Sequence, residues 1–188
     1  MSTDLQPAPA APASPSPPGP VARLRRLTVS RAPARPTPAA AAHLLASATS
    51  VLLLLVAVGA ALHEPLLIPP LTASAALIHS VPTLPLAQPR SVIGGHLLCA
   101  VVGLAVHAAL GSSLWTAGVA ASLALGTTML ARTPHSPACA TAVIAVLQGP
   151  APARFLVALT AAAGLLVLAG LVAARLRRNA PAYPSYWW

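Results

Sequence analysis

Two stretches of the chain concentrate the residues able to do chemistry. In RTPHSPACATAVIAVLQGP (132–150), Arg132 and His135 stand directly ahead of Ser136 and Pro137, and Thr141 follows about one turn later. In PLAQPRSVIGGHLLCAVVG (85–103), Gln88 and Arg90 precede His96 and Cys99. A helix that starts at a proline presents unpaired N–H groups and the positive end of its dipole at that point. An arginine and a histidine gathered there make a site for a small anion. Only two carboxylates, Asp4 and Glu64, exist in 188 residues to compete for that charge. Arg132, His135, Ser136, Pro137 and Thr141 are therefore the expected anion site, and Gln88 and Arg90 its counterpart gate. The plainer alternative leaves Arg132 among lipid headgroups and His135 in a loop, so that the break only shortens a helix.

Other chemistries fit less well. His79, His96, Cys99, His135 and Cys139 include no close-spaced ligand pair, so neither a metal nor a cofactor is expected. The two cysteines lie in apolar segments and read as small hydrophobes. There is no intramembrane acid pair, no Ser-His-Asp set and no cofactor fingerprint, and Ser136 beside His135 reads as a helix cap; an enzyme is not expected. His96 and His107 are eleven residues apart, three helical turns, on a face with Ala100 and Gly103. That small, polar face should point into a bundle, where His96 lines the path or relays a proton.

The elements that must position these groups are helices in a membrane. Hydrophobic residues make up 56% of the chain and charged residues 7%, too little charge to solvate a soluble fold. The expected class is all-α, a polytopic helical membrane protein. Four runs are long enough to cross: 41–62, 91–110, 113–131 and 153–174. Two shorter runs lie between them, 69–81 and the apolar 138–147 within the stretch 132–150, each preceded or opened by a proline. Ser136 is read as the N-cap of the second, with Pro137 at the first helical position and Gly149 ending the helix. Aligning Pro70 with Pro137 brings Ala73-Ser74-Ala75 onto Ala140-Thr141-Ala142, so a long-short-long unit is read as occurring twice. Paired short, proline-started segments are a sequence pointer to a transporter site.

Residues 1–40, rich in Pro, Ala and Arg, read as a largely disordered tail; 41–178 form the helical domain, and 179–188 an interfacial aromatic tail. All eleven basic residues are arginines, giving a net charge of +9. Because they flank apolar spans they are read as setting orientation, not as binding nucleic acid. With four crossings or with six, both termini are cytoplasmic; with six, the two units are inverted and only Arg154 lies outside. Gly118, Ser122 and Gly126 form a small-residue face for close helix approach, with smaller stripes at His43, Ser47 and Ser50 and at Thr160 and Gly164.

The strings at 85–103 and 132–147, followed by a terminal YPSYWW, resemble the HPP family of integral membrane proteins. The family's His-Pro-Pro is carried here by His135, Ser136 and Pro137, with Ser136 in place of the first proline and Cys139 where glycine is usual. The resemblance implies a four-span membrane protein and a transporter, with plastid and cyanobacterial relatives linked to nitrite. The combined expectation is a homo-oligomer in the lipid bilayer that moves a small inorganic anion such as nitrite. Its expected place is the inner (plasma) membrane, the plastid envelope being the alternative. The rival reading is a non-transporting assembly or regulatory subunit that binds partner helices.

Overall fold

The computed structural model describes residues 34–177 and 181–187. The segment read as a disordered tail lies, up to residue 33, outside the described residues, as do 178–180 and 188. Among the described residues six α-helices follow in order: α1 (Pro38–Leu62), α2 (Pro69–Ser80), α3 (Gly95–Leu110), α4 (Leu114–Leu130), α5 (Ser136–Gln148) and α6 (Pro152–Leu176). A 3-10 turn (Pro85–Ala87) and a π turn (Arg90–Gly94) lead into α3, and no strand occurs among the described residues. Local chemistry sets the boundaries. Pro38, Pro69 and Pro152 open their helices, where a missing N–H costs nothing. Thr37 caps α1 by accepting from the Ala40 N–H at 3.2 Å, and Ser113 with Thr116 forms a reciprocal capping box on α4. Gly149 ends α5 in the left-handed region at φ 53°.

Among the described residues three apolar helices are long enough to cross a membrane: α1, the π turn joined to α3, and α6. The fourth expected span, α4, is apolar but has 17 residues. The start of α5 differs by one residue from expectation. His135 is the N-cap, Ser136 and Pro137 are the first two helical residues, and Ser136 is exposed. The His135 ring is tied to the Leu86 carbonyl, which fixes His135 in an extended conformation (φ −150°, ψ 90°) and leaves the serine hydroxyl no cap to make.

Contacts along the helices fix their directions. Gly95 lies against His135, Gly103 against Ala142 and Ala145, and His107 against Val146 and Gly149, so α3 and α5 run the same way. Close approach requires the glycines. A Cβ on Gly95 would stand 2.8 Å from the His135 Cβ, and one on Gly103 2.6 Å from the Ala142 carbonyl oxygen. In the other direction, Leu66, Ile68 and Leu71 meet Phe155, Ala158 and Leu159, and Ile78 meets Gly170, so α2 runs with α6. The bundle has two ends. At one, Ser112 donates to the Leu147 carbonyl and Glu64 pairs with Arg154. At the other, Arg90 donates to the Ala131 carbonyl, His135 to the Leu86 carbonyl, and the C-terminal segment returns to Gln88.

The core forms around these contacts. Leu55, Leu71, Val92, Leu159 and Leu166 build one apolar cluster, and Cys99, Ala120, Ala124, Ala142 and Val146 another. The Gly118, Ser122 and Gly126 face does not serve it. All three are exposed, a Cβ on either glycine would meet nothing within 4 Å, and α4 instead turns Ala117, Ala120, Ala124 and Thr128 inward. Alanine is already small enough for that approach. A Cβ on Gly164 would likewise meet nothing within 4 Å, while His43, Ser47 and Ser50 line an apolar groove of about 420 Å³ between α1 and α6.

Candidate functional site

Where the two short helices meet α3, four polar side chains are sealed inside the bundle. Ser74 from α2, His96 from α3 and Thr141 from α5 are 0% exposed, and His135 at the head of α5 is 1% exposed. The Ser74 hydroxyl oxygen lies 2.9 Å from His96 Nε2 and 2.7 Å from His135 Nε2. It is also 2.9 Å from the Pro70 carbonyl oxygen. His96 Nδ1 lies 2.8 Å from the Thr141 hydroxyl, and His135 Nδ1 lies 2.7 Å from the Leu86 carbonyl oxygen. The two rings meet edge to face, with centroids 5.0 Å apart. The π turn ends directly ahead of Gly95 and His96, a placement common at functional positions in helices.

The partners dictate the protons. A carbonyl only accepts, so His135 carries its hydrogen on Nδ1 and, when neutral, accepts at Nε2. Ser74 is the one donor near that nitrogen; its hydroxyl also reaches the Pro70 carbonyl, and the wiring that pairs every ring nitrogen turns its hydrogen to His135. With that hydrogen used, His96 Nε2 donates to the serine oxygen and His96 Nδ1 accepts from Thr141. The result is one directed chain, Thr141 to His96 to Ser74 to His135 to Leu86 C=O. Every ring nitrogen is satisfied, as burial demands, since an unpaired buried polar group costs about 1–3 kcal/mol.

The expected site residues divide between four places. His96, His135 and Thr141 are brought together in the chain. Arg90 and Arg132 instead face a cleft of about 550 Å³ with Met129, Pro134 and Tyr186, at the same end of the bundle. Arg132 adopts φ 58°, a left-handed conformation that ordinary side chains disfavour. Gln88, expected as a gate, is held by hydrogen bonds within the bundle. Fully buried, it donates to the Pro82 and Leu84 carbonyls at 2.8 and 2.9 Å, and its oxygen accepts from the Ser185 N–H at 2.9 Å. Ser136 and Pro137 shape the start of α5 without joining the hydrogen-bonded chain.

Gln88 thereby holds the C-terminal segment on the bundle. Tyr183 is 6% exposed and fills the space left by Gly170, where a Cβ would stand 2.8 Å from its ring. Burial pushes its phenol above the ordinary tyrosine range. Tyr186 walls the arginine cleft. The aromatic tail is therefore not only an interfacial anchor; Tyr186 and Trp187 are its exposed members among the described residues. The sequence reading also missed Ser74 and the Leu86 carbonyl. The signal for Ser74 was present, because the Pro70–Pro137 register equates it with Thr141, and these two hydroxyls flank the one His96 ring. Among the described residues, no three His, Cys, Asp or Glu side chains are grouped as a metal would require.

Comparison with known proteins gives a coherent result. Residues 19–184 match the family model described as HPP, transmembrane region. One transmembrane protein of Dictyostelium discoideum is 36% identical over 124 residues, 62% of this chain and 43% of its own length. A second from the same organism is 33% identical over 124 residues, 62% of this chain and 40% of its own. The chain spans about two fifths of the length of these curated relatives. No solved structure matches.

Proposed function

The chain belongs to the HPP family of transmembrane proteins, and on that premise we propose that it transports a small inorganic anion through the region of the Ser74, His96 and His135 cluster. The observation that carries this reading is an arginine-walled cleft set beside a sealed cluster that holds two hydrogen-bonded histidines. Ionisable groups inside a membrane bundle are costly and mark pathways by default. Pro134, in the wall of the cleft, precedes His135 directly. Arg132 and Arg90, the latter also donating to the Ala131 carbonyl, line the cleft, and the cluster behind it is sealed.

The arrangement of charge supports six crossings with both termini cytoplasmic. Arg90, Arg132, Arg175 and Arg177 belong to the end that holds the cleft. At the other end stands Arg154, paired with Glu64. That asymmetry follows the positive-inside rule. The short helices α2 and α5, about 18 and 20 Å long, then cross inside a protein sheath, where their ends need not meet lipid. His96 lies about 9 Å of helical rise past Arg90 and about 21 Å short of Leu110, well inside a hydrocarbon layer of about 30 Å. Inverted halves are supported by matching contacts. In the register that equates Ser74 with Thr141, Gly103 answers to Gly170 and Ala145 to Ile78; Gly103 packs on Ala145 as Gly170 packs on Ile78.

The test is protein-dependent uptake of nitrite, nitrate and formate into proteoliposomes. Uptake of at least one should fall sharply in Arg132→Ala and His135→Ala; uptake unchanged in both variants overturns the reading. The rival, a non-transporting assembly subunit, is favoured by the outward Gly118, Ser122 and Gly126 face, which suits a second helix. It requires that Gly118→Leu and Gly126→Leu abolish function while the histidine variants retain it. In the transport reading the same face joins copies of the chain into a homo-oligomer.

A further inference from the structure

Ser74 has more partners than one hydroxyl hydrogen can serve. Its oxygen is within hydrogen-bond distance of the Pro70 carbonyl, His96 Nε2 and His135 Nε2 together. One hydrogen and two lone pairs can satisfy that set in more than one way. With both histidines neutral, His96 donates to Ser74 and Ser74 donates to His135. With His135 protonated, both of its nitrogens donate, to the Leu86 carbonyl and to Ser74. The serine hydrogen then turns to Pro70, or to His96 Nε2 with His96 Nδ1 donating to Thr141. In each state every ring nitrogen keeps a partner, with no movement of heavy atoms.

We propose that the Ser74-bridged histidine pair is the proton site of a proton-coupled anion transporter, taking up one proton with each anion. This rests on the transport reading. The transfer balances in one pass. A proton arriving from the Thr141 side bonds to His96 Nδ1. His96 releases its Nε2 hydrogen to the Ser74 oxygen, and Ser74 releases its own hydrogen to His135 Nε2. His96 is again neutral with its hydrogen now on Nδ1, Ser74 is again a hydroxyl, and the charge rests on His135. No bond between heavy atoms forms or breaks.

Coupling follows from the lack of a counter-charge. The groups in contact with the pair are Ser74 on α2, backed by the Pro70 carbonyl, Gly95 on α3, Thr141 on α5 and the Leu86 carbonyl in the loop. None carries a negative charge in its ordinary state, and Glu64 is engaged by Arg154 at the opposite end. A buried imidazolium without an anion is expensive, as is a buried anion without a cation. Each therefore favours the other. Arg90 and Arg132 in the cleft collect the anion on the His135 side.

Nitrite uptake into proteoliposomes holding a trapped pH-sensitive dye reads both ions, with the membrane voltage clamped by potassium and valinomycin and protein-free vesicles as the blank. In the wild type the lumen should acidify in step with nitrite influx. Ser74→Ala should lose the acidification, and Ser74→Thr, which keeps a hydroxyl, should retain it. Nitrite influx without acidification overturns the coupling and leaves transport standing, whereas no protein-dependent influx overturns both. A second measurement does not depend on any variant folding. Histidine ¹⁵N spectra of the wild type in nanodiscs at high pH should show His135 protonated at Nδ1 and His96 at Nε2; His135 protonated at Nε2 alone overturns the wiring.

Discussion

Replacing Gly103 by alanine should loosen the hydrogen-bonded chain from a distance. The new Cβ would lie 2.6 Å from the Ala142 carbonyl oxygen and 2.8 Å from both the Ala142 Cα and the Ala145 Cβ. These are backbone and Cβ atoms with no rotamer to yield. To restore ordinary contact, α3 and α5 must part by roughly 0.8 Å, the difference between 3.4 and 2.6 Å. Carried rigidly along α3 for two turns, that shift stretches the 2.8 Å contact between His96 Nδ1 and Thr141 to about 3.6 Å, outside hydrogen-bond range. Overpacking costs about 1–3 kcal/mol and the lost bond about 1 kcal/mol, offset by about 1 kcal/mol of improved helix propensity. The net expectation is a loss of about 1–3 kcal/mol. Unfolding by SDS titration in mixed micelles reads the stability, and the His96 ¹⁵N shifts read the bond. Gly118→Ala is the control, because its Cβ meets nothing; it should leave stability equal or slightly raised. Wild-type stability and unmoved His96 resonances in Gly103→Ala would refute the close packing of α3 on α5.

Three further outcomes follow from other contacts. Gln88→Ala removes the acceptor of the Ser185 N–H and both donors to the 82–84 loop; it should release the C-terminal segment, seen as faster carboxypeptidase trimming and a red-shifted tryptophan emission. Glu64→Gln should change stability by no more than about 1 kcal/mol, since its partner Arg154 is 69% exposed and surface pairs contribute little; a larger loss in the same SDS titration contradicts that assignment. Gly170→Leu should be severe, because its side chain would collide with Ile78 and the Tyr183 ring; wild-type expression and a monodisperse size-exclusion profile would count against the packing of the tail on α6.

Much of the helical plan could be read from single residues. Pro69, Ser113 and Gly149 announce helix ends because capping is local chemistry, and His96 with Gly103 announces an inward face because both lie on one stripe. Other features depend on neighbours that the sequence does not name. Ser136 looks like a cap until the Leu86 carbonyl claims the His135 ring and moves the helix start. Gly118 and Gly126 look like a packing face, yet Ala120 and Ala124 already permit close approach and take the inside. Gln88 reads as a gate because it is polar beside Arg90, but its bonds run to loop carbonyls and the tail. Leu86 contributes only a backbone oxygen, which no side-chain pattern can report. Ser74 was hidden in an Ala-Ser-Ala run, and it is the residue that joins the two histidines.

The claim that this bundle carries small anions past His135 is tested most directly by uptake in the Arg132→Gly variant. Arg132 holds a left-handed backbone conformation at φ 58°, which glycine adopts freely. The substitution should relieve strain of about 1 kcal/mol while removing one of the two guanidinium groups from the cleft. Nitrite, nitrate and formate uptake into proteoliposomes should therefore collapse in a variant that unfolds no more readily than the wild type. Uptake at the wild-type rate in that intact variant would contradict the account.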